Sequence, residues 1–471
     1  MTPRSRLTLL TLPFMAGCAL LVPDDRPALP SPAHYSSTGD ALPAADGIRQ
    51  QLTDTSAPAA WWQRYHSADL DALVTEGLAH NASLEATRHT LDAARASLRA
   101  QIGGSELPSA DIGMSQVRQR TLSLPGMLPK TYQDSITSAT LNVDWRFNLL
   151  GATTLSNRAA AKQVEQQAWQ YQAAQRALAL NIVTTTIQCA ALQAQLEQMT
   201  AQRDVLDHLA ALTAQREQLG AAAQDDRLAA AQQAADFAAS LPAQRATLAA
   251  TRHALAILLG RSPDNAPAPL PFDSLHLPGT LPLLVPSALL KQRPDVQAAD
   301  AAIEAAANQV GAARAELFPT LSLSASYGHG GYDWSSFTSP AGLIWSAAGS
   351  ISQPLFHGGA LLARKDAALA QYQAALSQYR QTVLDAFRDV ADTLADLQED
   401  ATRIEASQQA DDATRQRWQD MQRREQLGAT ALPDTLAAEQ QYHGHRIDTL
   451  QAQAARLTDS ARLFTAMGST L

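Results

Sequence analysis

Charge, aromatic rings and cysteine are all scarce in this chain. Of its 471 residues 17% are charged and 5% aromatic, two are cysteine, and the formal net charge is −9. A weakly acidic surface offers no basic field to a polyanion, which excludes nucleic acid as a partner. Beyond the N-terminus no run of about 20 uninterrupted apolar residues occurs, so any membrane crossing falls to strands rather than helices. A phosphate-cradling glycine loop, a paired-histidine zinc motif and a nucleophile elbow are also missing, so neither an enzyme nor a cofactor is expected. His443 and His445 sit about 200° apart on a helix, which argues against a metal site. Glycine and proline are absent from residues 152–219 and again from 360–427. At about 1.5 Å per residue each stretch makes a rod of about 100 Å.

A rod of that length packs sideways, and seven-residue spacing supplies the seam. Val164, Tyr171, Leu178, Leu192, Met199 and Leu206 share one grid, and Ala168, Ile182, Cys189 and Leu196 a companion grid. Leu376, Val383, Val390, Leu397 and Ile404 mark the second rod. Cys189 therefore reads as a small core residue. Shorter helices are expected at 83–102, 225–259, 295–318 and 434–467, with Pro242 and Gly444 kinking or interrupting the two that return.

The length alone suggests about three domains of roughly 150 residues, but an internal repeat overrides that prior. "REQLGAAAQDDRLAAAQQ" at 216–233 and "REQLGATALPDTLAAEQQ" at 424–441 agree at thirteen of eighteen positions, 208 residues apart. Ahead of each rod the pattern alternates. In "TSATLNVDWRFN" apolar Ala139, Leu141, Val143, Trp145 and Phe147 alternate with polar neighbours, and in the second half Leu321, Leu323, Ala325 and Tyr327 alternate with serines. That is a strand with one dry and one wet face. Strands are expected near 107–118, 137–148, 319–328 and 343–355. Four strands cannot close a barrel, which takes about eight, so a spanning barrel has to be shared between subunits.

The N-terminus carries Arg4 and Arg6, an apolar stretch from Leu7 to Phe14, and Ala16-Gly17-Cys18. That is an export signal. Its end resembles a bacterial lipobox, with Met15 where the pattern favours Leu, so Cys18 is the expected lipidation site and Ala19 after it resembles lipoproteins sent to the outer membrane. The resulting organisation is a signal peptide at 1–17, an anchored extended segment at 18–60, a first repeat at 61–260, a linker at 261–293 and a second repeat at 294–471. The linker region through Pro294 holds eight of the 24 prolines and reads as extended surface chain.

"VPSALLKQRPD" and "ARAELFPTLSL", in the text 281–328, closely resemble signatures of NodT-type outer-membrane efflux lipoproteins, relatives of the TolC channel. "WWQRYHSADLDALVTEGLAHNASLEA", "DWRFNLLG", "QPLFHGG" and "ALAILLGRSPD" resemble further blocks of the family, so the likeness runs from Cys18 to the C-terminus. It implies a mainly α protein with a membrane β-barrel: a homotrimer whose twelve strands form one barrel continuous with a periplasmic coiled-coil tunnel. It also implies two partners, a periplasmic adaptor (membrane fusion protein) and, through it, an inner-membrane transporter, besides outer-membrane lipid.

On that resemblance the duplicated turns are hairpin tips, and Leu219, Gly220, Ala221, Leu427, Gly428 and Ala429 match positions that meet the adaptor. Asp434 and Asp226 match the aspartate after each turn and are the candidate periplasmic gate. Thr430 and Ala437 stand where TolC-type chains carry an Arg and an Asp, so the closure network differs. Both aspartates also fit the first turn of a helix, where carboxylates favour the dipole. The expected function is the outer-membrane exit duct of a tripartite efflux pump for drugs or other toxic small molecules. A type I secretion channel for polypeptides and a non-conducting lipid-anchored scaffold are the alternatives.

Overall fold

A computed structural model describes residues 22–23, 42, 47, 49–122, 131–148 and 150–468; Cys18 and the signal lie outside them. In chain order the elements are β1 (Gln51–Thr53), α1 (Ala68–His80), α2 (Ala82–Glu106), β2 (Ser109–Leu122), β3 (Thr131–Asn148), α3 (Ala152–Gln218), α4 (Gln224–Leu258), β4 (Thr280–Pro282), α5 (Pro286–Gln292), α6 (Pro294–Ala315), β5 (Thr320–Gly331), α7 (Trp334–Thr338), β6 (Leu343–Ser352), α8 (Ala360–Gln426) and α9 (Leu432–Ala466). They pack as two compact units, each drawing on both repeats. The first holds 90–168 and 298–380, and the second holds the described residues from 42 to 89 together with 169–297 and 381–468.

In the first unit β2, β3, β5 and β6 form one antiparallel sheet in that order. Leu141 pairs with Ile112 and with Tyr327, and Tyr327 with Trp345. Every strand neighbours a helix in the chain at one end of the sheet, and β5 and β6 connect through α7 at the other. Gln101 donates to Ser156 Oγ and Asn157 Oδ1, and Asn157 donates to Glu106, which ties α2 to the start of α3. Lys162 bridges Glu165 and Glu304 and so links α3 to α6.

The second unit holds the larger core. Trp61, Tyr65 and Phe464 are fully buried, with Trp61 stacked on Phe464 at 5.6 Å. Burial of each such ring is worth about 2 to 3 kcal/mol. Val383, Val390, Leu397 and Ile404 of the seven-residue grid are all fully buried, and Leu178, Ile182 and Cys189 answer them on α3. The window of α3 apolar enough to cross a membrane by composition is 56% buried within the protein.

Two expectations need correction. α4 and α9 run uninterrupted through Pro242 and Gly444. Proline removes one backbone bond, but Leu241, Leu248 and Leu255 keep the seven-residue seam packed across it, and Ser240 Oγ donates to the nearby Phe237 carbonyl at 2.7 Å. The linker is not extended throughout either. It contains α5, started by Pro286 at its first turn, and β4, which pairs in parallel with β1 through Leu281 and Leu52.

Candidate functional site

The two duplicated turns have the same backbone. Gly220 and Gly428 have φ of +71° and +70°. The Gly220 N–H donates to Glu217 O at 2.9 Å and Ala221 N–H to Arg216 O at 2.7 Å; Gly428 and Ala429 repeat both bonds to Glu425 and Arg424 at 2.8 Å. This pair of bonds is the Schellman arrangement, which satisfies the last carbonyls of a helix and requires a left-handed residue. A Cβ at either glycine would meet nothing within 4 Å, so the need is for the dihedral and not for space. Leu219 and Leu427 stand out from these turns at 82% and 83% exposure.

Around that shared frame the polar contacts differ. Asp226, at the third position of α4, accepts from the Ala223 N–H at 3.1 Å. Asp434, at the third position of α9, accepts from Thr430 Oγ1 at 3.4 Å. Glu217 is tied to Arg227 at 2.9 Å in the first hairpin; 208 residues on, Arg227 is replaced by the buried Thr435. The gate candidates thus sit in first-turn positions in both hairpins. His443 and His445 part company as their spacing implies. His443 Nδ1 lies 2.9 Å from Gln198 Oε1, and burial pushes its pKa down, while His445 faces Asp448.

The sheet sorts its side chains by face. Register places Ala110, Ile112 and Met114 of β2, Ala139 to Phe147 in alternation on β3, Leu321, Leu323, Ala325 and Tyr327 on β5, and Leu343, Trp345, Ala347 and Ile351 on β6 on one side. The other side carries Asp111, Ser115, Thr140, Asn142 and Asp144, then Ser322, Ser324 and Ser326, then Ser346 and Ser350. Ile112, Met114, Tyr327, Trp345 and Ile351 are exposed although apolar. A contiguous apolar face about nine residues high with a wet reverse is what a tilted strand needs to cross a hydrocarbon layer.

Two buried ionic clusters escaped sequence reasoning. Arg293, from the "RPD" text, donates to Asp295 at 2.6 Å, to Asp389 on α8 at 3.2 Å and to the Ala466 carbonyl at the end of α9. Burial opposes the charge of Asp295, but the hydrogen bonds and charge of Arg293 prevail and hold its pKa below the usual value. Arg176 on α3 is buried nearby, and burial pushes its pKa down to about 10.

In the second cluster Arg456 is completely buried, donating from Nε to Gln50 Oε1 at 2.7 Å. Gln50 in turn donates to Pro278 O and Ser460 Oγ. Asp400 on α8 faces Asp459 on α9 and shares a hydrogen bond with it; burial, then the charge of Asp459, pushes the Asp400 pKa up to about 7. Burial also raises Asp459. Burial drives the Cys189 thiol up to about 11, which leaves it inert at neutral pH. Among the described residues no three metal-ligating side chains converge.

The fold that joins this two-faced sheet to long paired helices is similar to that of the outer-membrane channel OprN, with a TM-score of 0.77 at 25% identity, covering 93% of this chain and 98% of that one. Residues 285–469 match the outer membrane efflux protein family. The chain is similar to the fusaric acid resistance protein FusA of Burkholderia cepacia, at 28% identity over 363 residues covering 75% of this chain and 67% of that protein. It is also similar to the toluene efflux pump outer membrane protein TtgC of Pseudomonas putida, at 27% over 369 residues covering 77% and 74%. Among solved structures, the outer membrane protein VceC of Vibrio cholerae superposes with a TM-score of 0.74 at 27% identity, covering 88% of this chain and 99% of VceC.

Proposed function

We propose that the chain is the outer-membrane duct of an efflux pump, a passive exit for small toxic compounds. The observation that carries this reading is the two-faced sheet: its apolar side suits lipid and its serine-rich side a water-filled lumen. Four strands are too few to enclose a lumen, so three copies contribute twelve strands to one barrel and their helices to a periplasmic tunnel. Cys18 carries the lipid anchor as a NodT-type lipoprotein. The exposed Leu219 and Leu427, with the glycines and alanines that follow them, dock a periplasmic adaptor, which couples the duct to an inner-membrane transporter. Asp434 lies nearest the axis and contributes most to the resting gate, with Asp226 secondary.

Three measurements test this. The purified protein in a planar bilayer conducts in discrete steps, and a deletion strain loses tolerance to a panel of toxic compounds while still secreting its proteins. Silent bilayers together with unchanged tolerance would leave a non-conducting scaffold, and lost protein secretion with unchanged tolerance would leave a polypeptide channel. Fatty-acid labelling disappears in Cys18→Ala; undiminished label removes the anchor.

A further inference from the structure

Above its apolar band the outward face of the sheet changes character. Along β2, Ala110, Ile112 and Met114 are followed on the same side by Gln116, Arg118 and Arg120, whose partners on β3 are Thr137, Ser135 and Gln133. Both arginines are exposed. Arg120 donates to Thr131 Oγ1 at 3.2 and 3.3 Å, and among the described residues neither arginine pairs with a carboxylate. The carboxylates of these strands, Asp111, Asp134 and Asp144, all lie on the opposite face. The acids of these strands are thus confined to the wet side, with Arg146 among them, while the outward side carries Arg118 and Arg120 without a carboxylate on either strand.

Aromatic residues gather at the same height. Gly331, which ends β5, pairs with Thr137, level with Gln116. From there the chain folds back over the outward face: a Cβ on Gly331 would lie 2.3 Å from Phe337 N. His329 Nδ1 is 3.0 Å from Phe337 O. Trp334 stacks on Phe337 at 5.4 Å, and Tyr332 and Trp334 are each 70% exposed. Glycine at 331 thus lets α7 sit close on the outward side, the side that also carries the two arginines on β2.

Rings with one apolar and one polar end settle at the headgroup level of a bilayer, and guanidinium forks match phosphate oxygens in two-pronged fashion. We infer that Arg118 and Arg120, on the same outward face as the exposed rings of Tyr332 and Trp334, form a rim that binds the phosphate-bearing headgroups of the outward-facing lipid leaflet. This rests on the proposed crossing of the outer membrane by the sheet. Charge complementarity selects the occupant: the outward face of β2 and β3 carries two arginines and no carboxylate, Asp333 being engaged in capping α7, and it adjoins a face made for acyl chains, so its ligand carries phosphate and acyl chains together.

The test uses the full-length protein in mild detergent, titrated with diphosphorylated lipid A and with the same lipid after dephosphorylation, and read by native mass spectrometry. The wild type binds the phosphorylated lipid about tenfold or more tightly, on the scale of one or two charge-assisted bonds. Arg118→Gln/Arg120→Gln loses most of that preference, Arg118→Lys/Arg120→Lys keeps part of it, and Arg146→Gln on the wet face keeps all of it. Inorganic phosphate in excess fails to compete. Equal affinity of wild type and the Gln variant, equal affinity for the two lipids, or displacement by inorganic phosphate overturns the rim. Insertion of the wild type into phosphatidylcholine vesicles is measured alongside. Failure to insert overturns the spanning sheet and the rim with it, whereas insertion without phosphate preference overturns the rim alone.

Discussion

α3 and α8 have the same length, end in the same turn and lead into α4 and α9, which are also equal in length, yet their middles are chemically unlike. Residues 177–196 of α3 include no charged side chain. The matching residues 385–404 of α8 include Asp385, Asp389, Asp392, Asp396, Glu399 and Asp400, with Arg388 and Arg403. The contrast is sharpest where each rod meets its returning helix. Leu192, Leu248 and Thr251 in the first hairpin correspond, at the same 208-residue offset, to Asp400, Arg456 and Asp459 in the second. One backbone thus accepts either an apolar seam or a buried ionic one. A buried ion pair gains little over well-packed hydrophobes of similar volume, because desolvation offsets the attraction. The ions of the second hairpin therefore add a response to protons rather than extra stability.

The largest test of that contrast is to make the second seam like the first. Arg456→Leu alone removes the buried cation beside Asp400 and leaves Asp459 with Arg462 only, and costs about 3 to 5 kcal/mol. The triple change Asp400→Leu, Arg456→Leu, Asp459→Thr restores the stability of the parent or exceeds it by about 1 to 4 kcal/mol. Thermal unfolding in detergent separates the two, and a triple variant as weak as the single one would mean that the ions are structurally required.

The next effect is on pH. Because burial raises Asp400 to about 7 in the folded protein, its contribution to stability is complete below the ordinary carboxylate pKa of about 4 and is lost as pH climbs through 7. The melting temperature falls across that window, and Asp400→Asn flattens the fall and is the more stable form at pH 8. A parallel pH profile in the variant would assign the slope elsewhere.

At the tips the two hairpins behave alike. Gly220→Val and Gly428→Val each cost about 1 to 3 kcal/mol, purely from backbone strain, and Asn at either position recovers part of that loss. A markedly larger loss at one tip would show that space as well as dihedral matters there. The smallest stability effect belongs to Asp226→Ala and Asp434→Ala, about 0.5 to 1 kcal/mol each from the helix start. Resting conductance in a planar bilayer separates them, rising or changing its divalent-cation sensitivity more for Asp434→Ala. Equal, negligible changes would leave both as helix-start residues.

Local pattern made much of this legible. Alternation in "TSATLNVDWRFN" marks a strand because its partners share one face, and the glycine-free stretches mark rods because nothing in them breaks a helix. The turn at Gly220 and Gly428 is readable because its chemistry lies within six residues. What stayed hidden depends on partners far apart in sequence. β1 and β4 are three residues each, with no periodicity to read. The Arg456 cluster joins Gln50, Asp400 and Asp459, and Arg293 gains its meaning only when Asp389 and the end of α9 arrive beside it. Pro242 misled because the seam on either side of it outweighs one missing backbone bond.

The equality of the paired helices works as a ruler. α3 and α8 count 67 residues each, and α4 and α9 count 35 each. Removing one heptad from both arms of a single hairpin keeps its seam in phase, yet shortens that hairpin by about 10 Å. A partner that grips both tips at once would then meet one leucine and find the other withdrawn by two helical turns. Matched deletions in both hairpins would shorten the whole reach and keep the grip level.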